Sequence, residues 1–202
     1  MEYLVTMTTQ VPAGTSEAEV DDVKAREAAH SRELATDGRL LRLWRPPLQP
    51  GEWRTLGMFD AADRTDLEAV LRSMPLRVWR TDDIVPLRPH ANDPGREAAR
   101  PQSPAPPEGS SEFFTTFTAT VPPDAPSQLV DEANAKEATR ARELAHLGAL
   151  ERLWQLPDRG RTLGLWRALD SEEMQTILGS LPLRDWFSVE TLPLSVHPSD
   201  PH

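Results

Sequence analysis

The chain contains the same sequence twice, and this internal repeat limits the possible fold more than any other feature. The segment EYLVTMTTQVP at residues 2–12 returns as EFFTTFTATVP at 112–122, and RLW at 42–44 returns at 152–154. The phrases RELA, RTLG and PLR also recur in the same order. The period is longer than the roughly 20–50 residues of a solenoid repeat. We therefore expect two fused copies of one small domain, an arrangement comparable to a homodimer.

Residues 91–111 separate the two copies. This segment, ANDPGREAARPQSPAPPEGSS, is dominated by Pro, Ala, Ser and charged residues and has no apolar periodicity. Such a composition cannot bury enough apolar surface to offset the entropy of ordering the chain. The sequence therefore predicts a first copy at 1–90, a linker at 91–111 and a second copy at 112–202.

The composition argues against several classes of function. A net charge of -10 opposes binding to nucleic acid or to an anionic membrane surface. No apolar run is long enough for a membrane span, and the N-terminus lacks the pattern of a secretory signal. The chain has no cysteine, and its five histidines do not have metal-ligand spacing. We expect a soluble cytoplasmic protein that acts on a small-molecule substrate without a metal.

Each copy has the pattern strand, helix, strand, strand, helix, strand. The first strands, at 2–10 and 112–120, alternate and are rich in β-forming residues. The first helix begins after a Ser16 or Thr15 cap and ends near Asp37, before Gly38. The remaining elements are predicted at 39–45, 53–60, 64–74 and 78–87 in the first copy, and at 149–155, 161–167, 171–180 and 185–194 in the second.

The order βαββαβ predicts an α+β, ferredoxin-like fold for each copy. In this fold one antiparallel sheet carries both helices on the same face. The other face of each sheet then needs a cover, which the second copy can provide. We therefore expect the two copies to pack sheet to sheet as a pseudo-dimeric α+β barrel.

A carboxylate interrupts the apolar face of the first predicted helix. Glu27 lies between Val23 and Leu34 at helical spacing, and Glu137 has the equivalent position in the second copy. Burying an unpaired carboxylate is costly, so this side chain either has a partner or takes part in chemistry. An ion pair with an arginine of its own sheet is the structural alternative.

The strand LLRLWR at 40–45 carries the next candidates. Strict alternation places Leu41, Leu43 and Arg45 on one face, and Leu40, Arg42 and Trp44 on the other. If Leu43 packs under the helices, Arg45 lies in the same layer as Glu27. The second copy keeps Arg152 and Trp154 but has Gln155 in place of Arg45. The arginines at 42 and 152 could bind a substrate carboxylate or form a salt bridge between the copies, and the tryptophans favour interface packing.

A histidine follows the last strand of each copy, at His90 and His197. Each is followed three residues later by Asp-Pro. A histidine in this position could carry a proton, but a surface or interface role is the more common one. We expect a surface or interface role.

The residues Lys24 and Glu27, Gly38, the phrase Leu-Trp-Arg at 43–45, Pro-Leu at 75–76 and the terminal histidine together resemble the muconolactone delta-isomerases. The resemblance covers both copies and leaves out the linker. It implies small ferredoxin-like proteins that assemble through sheet-to-sheet dimers into rings, so a homo-oligomer of the fused pair is compatible with it. It also implies a double-bond shift in an unsaturated lactone carrying a carboxylate, without a cofactor.

The second copy departs from the family pattern at two cationic positions. Asn134 replaces Lys24, and Gln155 replaces Arg45. A position that usually holds Asn in the third strand holds Thr55 in the first copy. We therefore expect one working site, in the first copy.

The resulting hypothesis is a cofactor-independent isomerase that moves a proton next to a carbonyl group. Glu27 is the predicted general base, and Lys24 and Arg45 are predicted to stabilise the dienolate oxygen or the substrate carboxylate. The predicted substrate-binding residues are Arg42, Trp44, Thr55, Arg152, Trp154 and Glu137. Two alternatives remain open: a cyclase or isomerase acting on an aromatic or polyketide-like intermediate, and a non-catalytic dimeric-barrel protein that binds a small ligand.

Overall fold

The computed structural model describes residues 1–96, 109–122 and 124–202, which form two compact units. Unit 1 comprises Met1–Leu87 with Ser195–His202, and unit 2 comprises Arg88–Leu194. Each unit therefore contains most of one copy together with the C-terminal tail of the other. The predicted linker begins at residue 91, yet residues 91–96 belong to unit 2, where Asp93 and Pro94 are buried. The predicted linker residues 97–108 lie outside the described residues.

Unit 1 is built from four strands and two helices. Its elements are β1 (Glu2–Thr9), α1 (Glu17–Thr36), β2 (Leu40–Arg45), β3 (Arg54–Asp60), α2 (Arg64–Ser73) and β4 (Arg80–Pro86). The strands pair antiparallel in the order β4-β1-β3-β2. A 3-10 turn at Pro75–Trp79, which the sequence pattern did not predict, connects α2 to β4. Ser16 caps α1 by accepting a hydrogen bond from the Glu19 backbone N–H, as expected for this residue type.

Unit 2 repeats this order. Its elements are β5 (Arg88–Pro89), a 3-10 turn (Pro94–Arg96), β6 (Ser111–Ala119), α3 (Ser127–His146), β7 (Leu150–Gln155), β8 (Arg161–Ala168), α4 (Ser171–Gly179), a 3-10 turn (Arg184–Trp186) and β9 (Phe187–Val196). The strands pair antiparallel in the order β9-β6-β8-β7-β5. The last two residues of β9 belong to unit 1, where they pair with β2.

The core of each unit lies between its helices and one face of its sheet. In unit 1, Val5 of β1, Leu34 of α1 and Leu71 of α2 share one buried cluster. In unit 2, Phe113 of β6 and Leu144 of α3 do the same. Both helices of a unit therefore cover the same face of the sheet. This arrangement determines where the glutamate-bearing side of α1 or α3 can open to solvent. No helix in the described ranges is long and apolar enough to cross a membrane.

The predicted alternation along β2 is wrong at its first residue. Leu40 and Leu43 both lie in the core cluster, although strict alternation places them on opposite faces. The cause is an irregularity between Leu40 and Arg42, where the register against β3 shifts. A bulge adds one residue to the strand and so returns the next side chain to the same face. Strand β7 has the same shift at the equivalent position.

Candidate functional site

A cavity of about 420 Å³ opens in unit 1 beside α1, β2 and β3. It brings together four residues that the sequence singled out, Lys24, Glu27, Arg45 and Thr55. This volume is within the range of about 300–1,000 Å³ typical of small-molecule sites. The charged and imidazole groups that line it are Lys24, Glu27, Arg45, Arg80 and His197.

Glu27 is held in the wall of this cavity by two donors. Its carboxylate accepts a hydrogen bond from the Leu76 backbone N–H at 2.8 Å and from Arg80 Nη1 at 3.2 Å. The side chain is 13% exposed. Burial raises the pKa of Glu27, and the hydrogen bond from Leu76 and the charge of Arg80 oppose that rise. The structural alternative expected from the sequence, an ion pair between Glu27 and an arginine of its own sheet, is therefore present. The carboxylate also faces the cavity.

Arg80 lies at the start of β4 and is almost completely buried. Its Nε lies 2.7 Å from Asp82 Oδ1, so the guanidinium bridges two carboxylates. A bridging arginine fixes the orientation of Glu27 and limits the cost of burying its charge. Arg80 was not predicted from the sequence because the second copy has Phe187 at this position, so the repeat gives no signal there.

The two predicted cations have different surroundings. Lys24 Nζ lies 5.3 Å from the centroid of the Trp53 ring, a cation–π distance, and 3.7 Å from Asp21. Arg45 is exposed, and within the described residues it makes no ion pair. Its guanidinium can therefore accept an anionic group that enters the cavity.

His197 lines the same cavity, although the sequence favoured a surface or interface role for it. The tail that carries it is fixed to β2, since the His197 backbone N–H donates to the Leu43 carbonyl at 3.2 Å. The ring Nδ1 accepts a hydrogen bond from the Ser199 backbone N–H at 3.1 Å. Burial and the positive charge of Arg45 lower the pKa of His197 to about 4. Near neutral pH the ring is therefore neutral and carries its proton on Nε2, which makes it a hydrogen-bond donor.

An ion pair at Asp200 holds this tail in place. The Asp200 side chain is 1% exposed and accepts hydrogen bonds from the Leu43 backbone N–H at 2.6 Å and from Arg42 Nε at 3.2 Å. The Arg42 guanidinium also stacks on Trp44, 4.8 Å from the ring centroid. Neither Arg42 nor Trp44 lines the cavity, and Trp44 is completely buried. The structure thus places these two predicted substrate-binding residues in the anchor of the tail.

Unit 2 contains a larger cavity, of about 650 Å³, at the equivalent place. Glu137 lines it and accepts a hydrogen bond from the Leu183 backbone N–H at 3.0 Å. Burial raises the pKa of Glu137. Among the described residues Glu137 has no ion-pair partner, because Phe187 lies where unit 1 has Arg80. Its carboxyl group is therefore supported by one backbone amide and no cation.

The tail of the first copy completes the unit 2 cavity in the same way. His90 lines it, and His90 Nδ1 accepts from the Asn92 backbone N–H at 3.1 Å. Burial lowers the pKa of His90. Asp93, 0% exposed at its side chain, accepts from Arg152 Nε at 3.2 Å, and Arg152 stacks on the buried Trp154 at 4.7 Å. As in unit 1, the predicted substrate residues Arg152 and Trp154 lie in this anchor and do not line the cavity.

The fold and the cavities define a class of protein: an α+β chain with two related units, each with a glutamate and a histidine at one cavity. The sequence profile of the muconolactone delta-isomerase family matches residues 1–93 and 111–200. The two matched segments together span most of the chain, one for each copy of the repeat. The chain therefore belongs to the muconolactone delta-isomerase family.

Its curated relatives have the length of one copy. Muconolactone delta-isomerase of Cupriavidus pinatubonensis is 32% identical over 90 residues, which is 45% of this chain and 95% of that protein. The enzyme of the same name from Rhodococcus opacus is 27% identical over 88 residues, 44% of this chain and 95% of that protein. A single relative therefore corresponds to half of this protein, as a tandem duplication requires.

Solved structures of other proteins share the fold over nearly the whole chain. A heme-binding protein from Thermus thermophilus is 13% identical with a TM-score of 0.59, covering 98% of this chain and 93% of that one. A mutant chlorite dismutase from Candidatus Nitrospira defluvii has the same identity and TM-score, covering 98% and 92%. At such identities the likeness describes the fold alone.

Proposed function

We propose that this protein is a cofactor-independent isomerase that moves a double bond by proton transfer in a small unsaturated lactone or oxo-acid carrying a carboxylate. Membership of the muconolactone delta-isomerase family supports the reaction class. The observation that carries the proposal is the unit 1 cavity, where the mostly buried Glu27 carboxylate shares a space of about 420 Å³ with Lys24 and Arg45. A base beside two cations is what proton removal next to a carbonyl requires.

The proposed first step transfers a proton from the carbon next to the carbonyl group to Glu27. Burial raises the pKa of this carboxylate and so makes it a stronger base near neutral pH. The hydrogen bond from Leu76 and the ion pair with Arg80 keep its orientation fixed. The electron pair of the broken C–H bond then spreads over the conjugated system and places negative charge on the carbonyl oxygen.

The second step returns the proton to the other end of the conjugated system. The Glu27 carboxylic acid donates it, a new C–H bond forms, and the double bond has moved. Arg45 and Lys24 stabilise the dienolate oxygen or hold the substrate carboxylate, and the neutral His197 ring adds a donor from Nε2. Loss of one such donor costs about 10²–10³-fold in turnover.

The test is proton exchange in heavy water with muconolactone as the first substrate. The parent protein should incorporate deuterium next to the carbonyl and shift the double bond. Glu27→Gln should lose both activities, whereas Glu137→Gln, the matched variant in unit 2, should keep them. Equal loss in both variants, or loss only in Glu137→Gln, contradicts the assignment to unit 1.

A second candidate function is binding without catalysis, and the Glu27–Arg80 ion pair favours it. A carboxylate neutralised by an arginine can serve structure alone. In that case muconolactone, or an aromatic or polyketide-like compound, binds with no deuterium uptake. The exchange experiment separates the two functions directly, because a binder leaves the substrate unlabelled.

The order of the elements also supports a more detailed architecture for each unit. We propose that each unit has the ferredoxin-like fold, which is supported by the order βαββαβ and by helices on one face of each sheet. The sheet-to-sheet, pseudo-dimeric barrel expected from the sequence stays a prediction, as does a homo-oligomer of the fused pair. A crystal structure with the solution mass from light scattering tests both.

A further inference from the structure

The two cavities differ in charge at matched positions. Four charged residues of unit 1 have uncharged counterparts in unit 2: Lys24 corresponds to Asn134, Arg45 to Gln155, Arg80 to Phe187 and Asp82 to Val189. The first three pairs line their respective cavities. The unit 2 cavity has therefore lost every cation that unit 1 places around its glutamate.

Two other arginines line the unit 2 cavity, and neither lies beside Glu137 as an ion-pair partner. Arg159 is exposed to solvent in the turn before β8. Arg161 is paired with Asp158 at 3.0 Å. Neither occupies a position equivalent to Lys24, Arg45 or Arg80 of unit 1, and a paired arginine offers little net attraction to a second anion. These residues therefore do not replace the missing cations.

Aromatic rings take the place of the lost charges. Phe117 and Phe187 meet edge to face with centroids 5.5 Å apart, and Phe117 lies 6.2 Å from Trp166. The Trp166 indole N–H already donates to Thr115 Oγ1 at 2.7 Å, so the ring itself has no unsatisfied polar group. At the matched positions of Phe117 and Phe187, unit 1 has Met7 and Arg80. The result is an aromatic wall in a cavity of about 650 Å³, compared with about 420 Å³ in unit 1.

The polar groups that remain favour a neutral ligand. Glu137 has no cation beside it within the described residues, so an anionic ligand would meet a carboxyl group in an apolar setting without compensation. His90, with Nδ1 occupied by the Asn92 N–H, offers one donor, and the Glu137 carboxyl offers another when it is protonated. Both suit a carbonyl or hydroxyl oxygen.

We propose that the unit 2 cavity is a second ligand site, which takes a neutral aromatic compound bearing a carbonyl or hydroxyl group. This site differs in ligand class from the anion-binding cavity of unit 1. It is independent of the proposed isomerase reaction, because it requires binding only. The aromatic wall holds the rings, and Glu137 with His90 binds the oxygen.

The experiment compares two probes with the same ring system and different charge. Isothermal titration calorimetry with the full chain should show 2-acetylnaphthalene, which is neutral, binding at one site. In competition titrations the anionic 2-naphthoate should displace it from that site with an affinity about tenfold lower or worse. Phe187→Arg, which installs the unit 1 residue, should weaken 2-acetylnaphthalene binding by about tenfold. Lys24→Asn, the reverse exchange in unit 1, should leave it unchanged.

A second variant covers the case in which Phe187→Arg does not fold. Asn134 is exposed on α3, so Asn134→Lys adds a cation to the cavity lining without disturbing the core. It should strengthen binding of 2-naphthoate and leave 2-acetylnaphthalene nearly unaffected. The proposal is overturned if 2-acetylnaphthalene does not bind, if 2-naphthoate displaces it with equal affinity, or if Lys24→Asn abolishes 2-acetylnaphthalene binding.

Discussion

The ion pair between Asp93 and Arg152 should anchor the tail that carries His90, and its strength can be worked out from the contacts. The Asp93 carboxylate is fully buried and accepts from the Leu153 N–H at 2.9 Å, the Gly95 N–H at 3.2 Å and Arg152 Nε at 3.2 Å. Asp93→Asn keeps an acceptor for the amides but removes the charge. Hydrogen bonds to charged groups are worth about 1.5–3 kcal/mol. Arg152 is a quarter exposed, so water recovers part of this, and we expect a loss of about 2 kcal/mol.

The assay is a double-mutant cycle followed by urea unfolding at pH 7. The four proteins are the parent, Asp93→Asn, Arg152→Met and the double variant. Arg152→Met also removes the stacking on Trp154. The cycle subtracts this lost stacking energy because Arg152→Met removes it both in the parent and in Asp93→Asn. A coupling free energy of about 1.5–2 kcal/mol is expected.

An NMR titration of His90 in the same proteins reads out the position of the tail. Burial holds the pKa of His90 below its ordinary value, and the negative charge of Asp93 opposes this. Loss of that charge in Asp93→Asn would by itself lower the pKa further, so a rise toward 6.5 reports exposure of the ring on release of the tail. A coupling below about 0.5 kcal/mol together with a His90 pKa that is unchanged or lowered would refute the anchor, since the tail would then be held by other contacts.

Three further predictions concern single residues. Trp44→Ala and Trp154→Ala should each lower the free energy of unfolding by about 3–5 kcal/mol in denaturant titrations, because both rings are completely buried; an unchanged midpoint would contradict this. For Glu137, whose pKa is raised above its ordinary value of 4.5, the folded protein holds the proton more tightly than the unfolded chain. Its contribution to stability is therefore present below pH 4.5 and lost as the pH rises through the folded-state pKa. The free energy of unfolding of Glu137→Gln should therefore rise relative to that of the parent between pH 4 and pH 8. A constant difference across this range would show that Glu137 is not desolvated. His197→Phe should lower turnover of muconolactone by about 10²-fold or more, while His197→Asn should retain part of it as a neutral donor; equal activity in all three proteins would exclude the proposed donor.

The sequence predicted the regular elements well because their signals are local. Ser16 caps α1 and Gly38 follows its end with a positive φ of 69°, a conformation that glycine adopts without strain. The face of α1 that carries Glu27 was also predictable, since helical spacing alone determines it. The bulge in β2 was not, because nothing in LLRLWR marks the extra residue, and it moved Leu40 into the core.

The surroundings of the glutamates depend on contacts between residues that lie far apart in the sequence. The repeat pointed to such residues only where both copies have the same residue type. Arg80 lies 53 residues from Glu27 and has no counterpart in the second copy, so no pattern connected the two. The tail histidines and aspartates do recur in both copies, and this signal was present. Their role was hidden because a sequence does not show onto which unit a tail folds.

The exchange of tails explains why the two copies can differ so much in their cavities and still remain together. Unit 1 obtains His197 and Asp200 from the second copy, and unit 2 obtains His90 and Asp93 from the first. Each copy must therefore keep a tail that serves the other unit, whatever happens to the residues around its own glutamate. Positions such as Phe187 line a cavity but do not anchor a tail, so they can change without loosening it. A duplicated chain of this kind can keep one cavity charged and turn the other aromatic without loss of either fold.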